Sequence, residues 1–445
     1  MDSHGHVVER LRSAFRSGIT LPEEFRRTQL TQLLSMLRDN EERIIKALHQ
    51  DLAKVHDTRV TQSCTYGWMD ASYIQATKLD DCFVRREPLG VVLIIGPWNY
   101  PLQLLIVPLV GAIAAGNCAV IKPSEISAAT DSECISDCYT VVRGGSEQTK
   151  ALLQNRFDHI FYTGSQVVAR SVVQAASVHL TPVTLELGGK CPCFIYGRIN
   201  IQAAAHRLAW AKFFNAGQSC VAPDYVLCTE ATQKALVPAL STVLEEFYGK
   251  EPQKSPDLAR IVSDRHFARL KKLLERTKGK VVIGGESDQD SKYIAPTVVV
   301  DVGEDDALMS EEIFGPILPI LTVEELEKSM DLVNRNEKPL AIYVFSDESS
   351  VRTTVMKNTS SGGFCSNDGI VHMTLPGLPF GGVGASGWGS YHGRWGFEAF
   401  SHRRACMLRG WALERLNGLR YPPYTEDKLK WLRWTTSAQN SCSLM

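Results

Sequence analysis

The chain has 445 residues, of which 44% are hydrophobic and 22% charged, and its formal net charge is −1. This length allows two or more hydrophobic cores, and the composition is that of an ordinary soluble globular protein. The near-zero charge excludes a chain-wide attraction to nucleic acid or to another strongly charged partner.

The 12 cysteines fit neither a disulfide framework nor a zinc site. The pairs Cys134/Cys138 and Cys191/Cys193 lack the second pair of Cys or His that zinc requires. Residues 1–12 contain no apolar signal segment, so we expect a cytoplasmic chain with reduced thiols.

Apolar residues at helical spacing predict helices over residues 7–54, with a typical helix start at 21–24. Residues 58–80 fit neither the helical nor the strand period. The most apolar stretch, 91–115, is interrupted by the Gly- and Pro-containing segment 96–101. Because a membrane span needs roughly 20 uninterrupted apolar residues, this stretch instead predicts a buried strand, a turn and a buried helix.

From residue 89 the pattern becomes strand, turn and helix, repeated. Short apolar strands are predicted at 91–95, 118–121, 159–162 and 182–187, and a helix at 167–176. Strands without alternation, separated by helices, indicate a parallel sheet buried on both faces. Such sheets bind ligands beyond the carboxyl ends of their strands, where the polar turns 97–101, 122–125 and 164–165 lie.

A second α/β unit follows Gly188-Gly189-Lys190. Its predicted elements are helices at 201–215, 231–248 and 264–277 and strands at 225–228, 280–283, 297–300, 316–321 and 340–345. We therefore divide the chain into an N-terminal ligand-binding part (1–186), a second α/β part (187–390) and a C-terminal segment (391–445).

Two ionisable residues could carry chemistry. Cys220 follows a helix and a turn, and a thiol becomes nucleophilic when it is ionised, accessible and near hydrogen-bond donors. Most cysteines in reduced proteins are instead small buried residues. Glu186 ends a buried strand between apolar neighbours, so we expect a raised pKa that suits a general base. Considered in isolation, a buried acid of this kind is more often a structural carboxylate paired with a cation or a hydrogen-bond donor.

Two turns add candidate binding groups. Asn99 lies in a turn held by two prolines and a Trp, where a fixed amide suits an oxyanion donor, although asparagine is common in turns. Gly164 and Ser165 precede a helix whose first N–H groups could receive a phosphate. The spaced glycines of the usual dinucleotide fingerprint are absent. No cluster with metal-ligand spacing appears, so we expect no metal centre.

Six motifs in order resemble the aldehyde dehydrogenase family. They are Pro97-Trp98-Asn99-Tyr100-Pro101, Lys122-Pro123-Ser124-Glu125, Leu185-Glu186-Leu187-Gly188-Gly189-Lys190, Gly217-Gln218-Ser219-Cys220, Glu311-Glu312-Ile313-Phe314-Gly315-Pro316 and Pro379-Phe380-Gly381-Gly382-Val383-Gly384-Ala385-Ser386-Gly387. The resemblance covers nearly the whole chain. It is nearest to the class-3 branch, judged by Val221-Ala222-Pro223-Asp224-Tyr225 and Phe400-Ser401-His402-Arg403-Arg404, and within it to the lipid-anchored B-type members.

The resemblance implies an α/β fold with a parallel-sheet, Rossmann-like dinucleotide-binding domain, an α/β catalytic domain and a small bridging C-terminal segment. It implies a homodimer that oxidises medium- or long-chain aliphatic or aromatic, lipid-derived aldehydes with NAD or NADP. Cys220 would attack the aldehyde carbonyl, Asn99 would hold the oxyanion, and Glu186 would activate the water that hydrolyses the thioester. The cofactor would be bound by Lys122, Glu125, Gly164, Ser165, Glu312 and Phe314.

The chain departs from the family pattern at four places. The segments between Asp51 and Glu87 and between Glu125 and Gly144 are shorter, Ala169 replaces a glycine, and Ser219 replaces a threonine. Since both short segments belong to the dinucleotide-binding part, a second hypothesis is a splice form or degenerate copy, an inactive membrane-attached homologue that serves as a binding or dimerisation partner. A third hypothesis, a reductase acting on acyl-carrier thioesters, is disfavoured because Glu186 is retained.

The chain ends in Cys442-Ser443-Leu444-Met445. This fits the prenylation motif, and a terminal Met favours a farnesyl group on Cys442. The preceding basic and aromatic stretch, 428–434, suits a lipid interface. We expect attachment to the cytoplasmic face of a membrane or to lipid droplets. The alternatives are a chance cysteine near the end of the chain, and Trp431 and Trp434 packing on the catalytic domain.

Overall fold

The computed structural model describes residues 4–53, 72–73, 81–127, 135–136, 138–411 and 414–437. It divides into a larger unit, Met1–Met69 with Glu87–His402, and a smaller unit, Asp70–Arg86 with Arg403–Met445. The predicted site residues lie in the larger unit, except Cys442, which is outside the described residues.

The first part of the chain forms the elements that carry the predicted ligand-binding sheet. In chain order these are α1 (His4–Arg16), α2 (Glu23–Asp39), α3 (Glu41–Leu52), β1 (Ser72–Tyr73), β2 (Asp81–Pro88), β3 (Val91–Ile95), α4 (Gln103–Ala115), β4 (Cys118–Lys122), β5 (Ile135–Ser136), β6 (Tyr139–Val141), α5 (Ser146–Leu153), β7 (His159–Gly164), α6 (Gln166–Val178) and β8 (Val183–Leu187). The predicted N-terminal helices are confirmed, and α2 begins directly after Pro22 with two glutamates in its first turn.

The second part contains the remaining elements. In chain order these are β9 (Pro192–Ile195), α7 (Ile201–Phe213), β10 (Tyr225–Cys228), α8 (Glu230–Tyr248), α9 (Asp264–Arg276), β11 (Lys280–Ile283), β12 (Ser287–Asp288), β13 (Tyr293–Ile294), β14 (Thr297–Val300), β15 (Ile317–Thr322), α10 (Leu326–Arg335), β16 (Ala341–Phe345), α11 (Ser349–Asn358), β17 (Gly363–Ser366), β18 (Gly387–Trp388), α12 (Gly393–Ala399), β19 (Ser401–Leu408), α13 (Glu414–Asn417) and α14 (Glu426–Ser437).

The first sheet of the larger unit has the strand order β18-β8-β7-β3-β4-β6-β5. Its strands run parallel except at the two edges, where β18 and β5 are antiparallel to their neighbours. Every residue of β3 and β4 is buried, and α1 and α4 pack against these strands. The predicted parallel sheet with two covered faces is therefore confirmed.

The second sheet has the order β11-β14-β15-β10-β9-β16-β17, and β11 alone is antiparallel to its neighbour. Its connecting helices begin at side-chain caps that satisfy a first-turn N–H. The capping residues are Asn200 for α7, Thr229 for α8 and Ser263 for α9. These caps fix where each helix leaves the sheet.

The three predicted ligand-side turns share one edge of the first sheet. Ile95 at the end of β3 pairs with Lys122 of β4 on one side and with Tyr162 of β7 on the other. Since the strands are parallel, the segments 97–101, 122–125 and 164–165 all follow carboxyl ends at that edge. The larger unit thus presents its polar turns together, as the sequence predicts.

The two shortened segments fall partly outside the described residues, which omit 54–71, 74–80, 128–134 and 137. Between β4 and β6, the described residues form a 3-10 turn at Glu125–Ser127 and the short strand β5, with no α-helix among them. The predicted helix 201–215 ends earlier than expected, at Phe213, because the chain then turns left-handed.

The smaller unit contains β1, most of β2 and β19, and the helices α13 and α14. In α14, Lys428 donates to the carbonyl oxygens of Tyr421 and Pro423, each at 3.0 Å. Trp431 leaves 45% of its surface exposed, and the side chain of Trp434 is outside the described residues. Across the described ranges, we find no helix with both the length and the apolarity needed to cross a bilayer.

Candidate active site

A cavity of about 780 Å³ opens in the larger unit at the carboxyl ends of the strands. Asn99, Glu186, Cys220 and Glu312 all line it, together with Ser165 at the start of α6. Residues that are far apart in the sequence therefore meet in one cavity. The two most distant, Asn99 and Glu312, are 213 positions apart. These are residues to which the family resemblance assigns catalytic and cofactor-binding roles.

Cys220 lies on a loop whose backbone is unusual. Asn215, Ala216 and Gly217 have φ values of 54°, 52° and 71°, so three successive residues are left-handed before the cysteine. A Cβ on Gly217 would lie 2.2 Å from the carbonyl oxygen of Gly315, so no other residue fits there without moving the backbone. The sharp turn ends the preceding helix and directs Cys220 into the cavity.

Asn99 is tied to the same loop. Its Nδ2 donates to the carbonyl oxygen of Gln218 at 3.2 Å, and Asn215 Nδ2 donates to the Asn99 carbonyl at 3.1 Å. Gln218 is in turn held by its own side chain, which donates to Arg260 O at 3.0 Å. Asn99 is 3% exposed, so its amide is held beside the Cys220 loop in a nearly water-free position.

Glu186 ends β8 and is 1% exposed. Burial raises the pKa of Glu186 to about 7, as the sequence predicts. The Cys220 thiol and the Thr163 hydroxyl face this carboxyl and partly offset the effect of burial. Neither reaches full hydrogen-bonding geometry, since both Glu186 oxygens are without a hydrogen-bond partner among the described residues. Glu186 is thus a buried base that changes charge near neutral pH.

The Cys220 thiol is partly exposed, but its surroundings differ from the electropositive ones that activate many cysteines. Burial of its sulfur, together with the nearby Glu186 and Glu312 carboxyls, raises the pKa of Cys220 well above its ordinary value. The thiol is therefore protonated at neutral pH, and a base must take its proton before it can attack.

Glu312 and Phe314 form the opposite wall of the cavity. Burial, with the nearby Asp224, raises the pKa of Glu312 to about 8. A Cβ on Gly188 would lie 2.2 Å from Glu312 Oε2, so the missing side chain at Gly188 gives the carboxyl its space. Phe314 has a left-handed φ of 53°, and its ring lies 5.4 Å from that of Trp98.

Lys122 and Glu125 do not line this cavity. They follow β4, further along the same sheet edge. Lys122 is 2% exposed and contacts the Pro123 carbonyl oxygen, and its Nζ lies 3.8 Å from Glu125 Oε2. The Glu125 side chain is 53% exposed. A ligand that touches both the cavity and these residues must therefore extend along the edge across β7, β3 and β4.

Gly164 and Ser165 line the cavity where α6 begins. Ser165 Oγ accepts a hydrogen bond from Val168 N at 3.4 Å and so caps the helix. Ala169, which replaces a family glycine, is 2% exposed and is not a lining residue. Its extra methyl group packs in the helix–sheet core rather than in the ligand space.

Lys190, Asp224 and Arg269 hold the loop that carries Glu312, and the sequence predicts this role for none of them. Lys190 and Asp224 lie within family motifs, and Arg269 lies outside them. Lys190 and Arg269 line the cavity and bond to the Glu312 loop, while Asp224 lies 3.0 Å from a loop N–H. No local pattern signals these contacts, because the three side chains lie 42 to 121 positions from the residues of the loop that they bond. Among the described residues, no group of three or more His, Cys, Asp or Glu side chains could hold a metal ion.

Comparison with known proteins decides the family. A family model described as the aldehyde dehydrogenase family matches residues 5–406. This chain belongs to the aldehyde dehydrogenase family. Like its family, it is an NAD- or NADP-dependent enzyme that oxidises aldehydes, and it has the aldehyde dehydrogenase fold.

The relatives include class-3 members. The chain is 51% identical to aldehyde dehydrogenase family 3 member B1 of Rattus norvegicus, with 97% of each chain covered. It is 50% identical to the Homo sapiens member B1, with 100% of each covered. The structure of the substrate-bound state of Staphylococcus aureus AldH matches with a TM-score of 0.93 and 38% identity, covering 98% of this chain and 100% of that one.

The alignment with the human relative extends over 470 positions, whereas this chain has 445 residues. At least 25 aligned positions therefore have no residue here. Gaps of this kind are what the short segments inferred from the motifs predict.

Proposed function

We propose that the chain oxidises medium- or long-chain aliphatic or aromatic aldehydes to carboxylic acids through a covalent intermediate on Cys220. The observation that carries this proposal is the meeting of Cys220 with Glu186 in one cavity, where each affects the titration of the other. A nucleophile beside a base of pKa about 7 is the arrangement that thioester chemistry needs.

The residues around the cavity fit a dinucleotide. The start of α6 offers first-turn N–H groups and a positive dipole end next to Gly164 and Ser165, which suits a pyrophosphate. The Glu312 carboxyl, given room by Gly188, would accept hydrogen bonds from the nicotinamide ribose, with Phe314 beside it. Lys122 and Glu125 would hold the adenosine ribose further along the edge. The bound cofactor supplies one function, the acceptance of a hydride.

The first chemical step forms the carbon–sulfur bond. The Cys220 thiol gives its proton to Glu186, and the sulfur attacks the aldehyde carbon. The carbonyl π electrons move to oxygen, and the Asn99 amide and the Cys220 N–H donate to the resulting oxyanion. The buried hydrogen bond from Asn99 to the Gln218 carbonyl holds the amide close to this position before substrate binds.

After oxidation the acyl group remains on sulfur as a thioester. Glu186, deprotonated again, takes a proton from a water molecule while the water oxygen attacks the thioester carbon. The carbon–sulfur bond breaks, the carboxylic acid leaves, and Cys220 regains its proton. A base whose pKa is about 7 is well matched to this step at neutral pH.

The test is the formation of reduced cofactor, followed at 340 nm, with purified protein, a long-chain aldehyde, and NAD or NADP. We expect a signal that is lost in Cys220→Ala and kept in Cys365→Ala, which removes another partly exposed thiol outside the cavity. No signal from folded wild-type protein with either cofactor would support the inactive-homologue hypothesis instead. A short aldehyde used in parallel tests the proposed chain length.

We also propose that the protein is a homodimer attached to the cytoplasmic face of a membrane or to lipid droplets through a prenyl group on Cys442. The prenylation motif and the basic, aromatic stretch 428–434 support this. In cells, Cys442→Ser should move the protein to the soluble fraction, and an unchanged membrane fraction would refute the tether. Light scattering of the purified protein gives the oligomeric state.

A further inference from the structure

The loop that carries Glu312 has no regular secondary structure before β15 begins at Ile317. A loop residue that must hold a ligand in a fixed place needs supports from elsewhere. Three side chains from three different parts of the larger unit supply them. Lys190 follows β8, Asp224 precedes β10, and Arg269 belongs to α9.

The Lys190 ammonium group makes three hydrogen bonds, two of them to the segment that leads into Glu312. Its Nζ donates to Asp224 Oδ2 at 2.5 Å, to Leu308 O at 2.8 Å and to Glu311 O at 3.0 Å. An ammonium group has three N–H donors, so each of them is accounted for. Two of the three acceptors lie on the segment that leads into Glu312, one of them directly before it.

Asp224 joins the same segment from the other side. Its Oδ1 accepts from Ile313 N at 3.0 Å, directly after Glu312, while Oδ2 pairs with Lys190. The Asp224 side chain is 4% exposed, so this ion pair is screened little by water. Asp224 is itself fixed, since its backbone N–H donates to the Cys191 carbonyl at 2.7 Å.

Arg269 bonds to the same loop from α9. It donates to Ile313 O at 2.6 Å and to Glu312 O at 3.3 Å. The backbone of residues 311–313 is therefore bonded on both sides. The turn that ends β8 serves Glu312 twice, because Gly188 leaves room for its carboxyl and Lys190 anchors its backbone.

We propose that Lys190 and Asp224, supported by Arg269, are positioning residues that set where the Glu312 carboxyl meets the cofactor. This inference rests on the proposed role of Glu312. Neither residue needs to touch the cofactor, because each acts by fixing the loop. A misplacement of about 1 Å in a positioned group can lower a reaction rate by up to about a hundredfold. By analogy, we expect loss of either anchor to raise the dissociation constant of the cofactor about tenfold, inside that range.

The experiment measures the dissociation constant of NAD by calorimetry in Lys190→Met, Asp224→Asn and Glu312→Ala, the last of which removes the carboxyl outright. Asp224→Asn keeps a carbonyl oxygen for Ile313 N and so preserves the fold if Lys190→Met does not. The matched control is Lys328→Met, which removes a surface lysine that pairs with Glu325 at 2.7 Å outside the cavity. The rate of Cys220 alkylation by iodoacetamide reports on the nucleophile loop separately.

We expect the dissociation constant to rise about tenfold or more in Lys190→Met and Asp224→Asn, with Cys220 alkylation within about twofold of wild type. In a Glu312→Ala background, Lys190→Met should add less than about a twofold change, because two residues that act through one contact are not additive. A merely structural role would give equal effects in both backgrounds, and that result overturns the proposal.

Two further outcomes separate the proposal from the role it rests on. If Glu312→Ala weakens NAD binding and neither anchor variant does, the positioning role fails while the role of Glu312 stands. If Glu312→Ala itself leaves the dissociation constant unchanged, the proposed cofactor contact of Glu312 fails, and the positioning role falls with it.

Discussion

Lys212 has an ionisable amine at a fully buried position. It lies on α7, is 0% exposed, and its amine has no hydrogen-bond partner among the described residues. A buried ammonium without a partner destabilises a fold. We therefore predict that Lys212→Met, which keeps the length of the side chain and removes the charge, makes the protein more stable at neutral pH.

The size of the effect follows from titration. The pKa of Lys212 is lowered from 10.5 to about 8, chiefly by burial and also by the nearby Lys190, while Asp224 and Glu312 partly offset both effects. This difference between the pKa values in the unfolded and folded states corresponds to about 3 kcal/mol of folding free energy. The unfolded chain keeps the Lys212 proton up to about pH 10.5, whereas the folded chain releases it near pH 8. The destabilisation of the folded state is therefore full below pH 8 and is lost as the pH rises from 8 to 10.5.

The assay is chemical unfolding of wild type and Lys212→Met, followed by Trp fluorescence, at pH 7 and at pH 10. We expect the variant to be more stable by up to about 3 kcal/mol at pH 7 and by less than about 1 kcal/mol at pH 10. Lys328→Met, an exposed control, should show no such difference. If Lys212→Met is less stable at pH 7, or if the difference is the same at both pH values, the reasoning is wrong.

Three other changes test the site. The rate of thioester hydrolysis, measured in single turnovers, should rise with pH up to the Glu186 pKa of about 7 and then level off, and Glu186→Gln should remove this inflection and lower the rate about 10²- to 10⁴-fold. Gly188→Ala should weaken NAD binding, because its Cβ would lie 2.2 Å from the Glu312 carboxyl, whereas Gly189→Ala, with its nearest neighbour at 3.5 Å, should not. Gly217→Ala should lower the melting temperature and slow cysteine alkylation, because it places a Cβ 2.2 Å from a backbone oxygen at a φ of 71°.

Local pattern was sufficient for β3, β4, β7 and β8 of the first sheet, whereas β5, β6 and β18 were not predicted. Residues 91–95 were predicted as a strand from an unbroken apolar run, and β3 has the same bounds. The predicted strand 118–121 extends one residue further, to Lys122, since burial continues through it. Hydrophobic period and turn residues are local quantities, so a single sequence contains them.

Contacts between distant residues could not be predicted in this way. The three acceptors of Lys190 lie 34, 118 and 121 positions away in the chain, and no local period relates them. The left-handed Ala216 was also missed, because alanine favours a helix and the loop overrides that preference. Lys212 lies in a correctly predicted helix, yet nothing in the helix pattern indicates that its charged end is buried.

Three groups in and beside the cavity change charge close to neutral pH. The pKa is about 7 for Glu186 and about 8 for both Glu312 and Lys212. Between roughly pH 6 and pH 9 they release about three protons. Oxidising an aldehyde to a carboxylate also liberates protons, and half-titrated groups can take these up before they reach bulk water. These groups can therefore relay protons away from the reacting atoms, and the cavity that a charged ligand enters becomes more negative as the pH rises through this range.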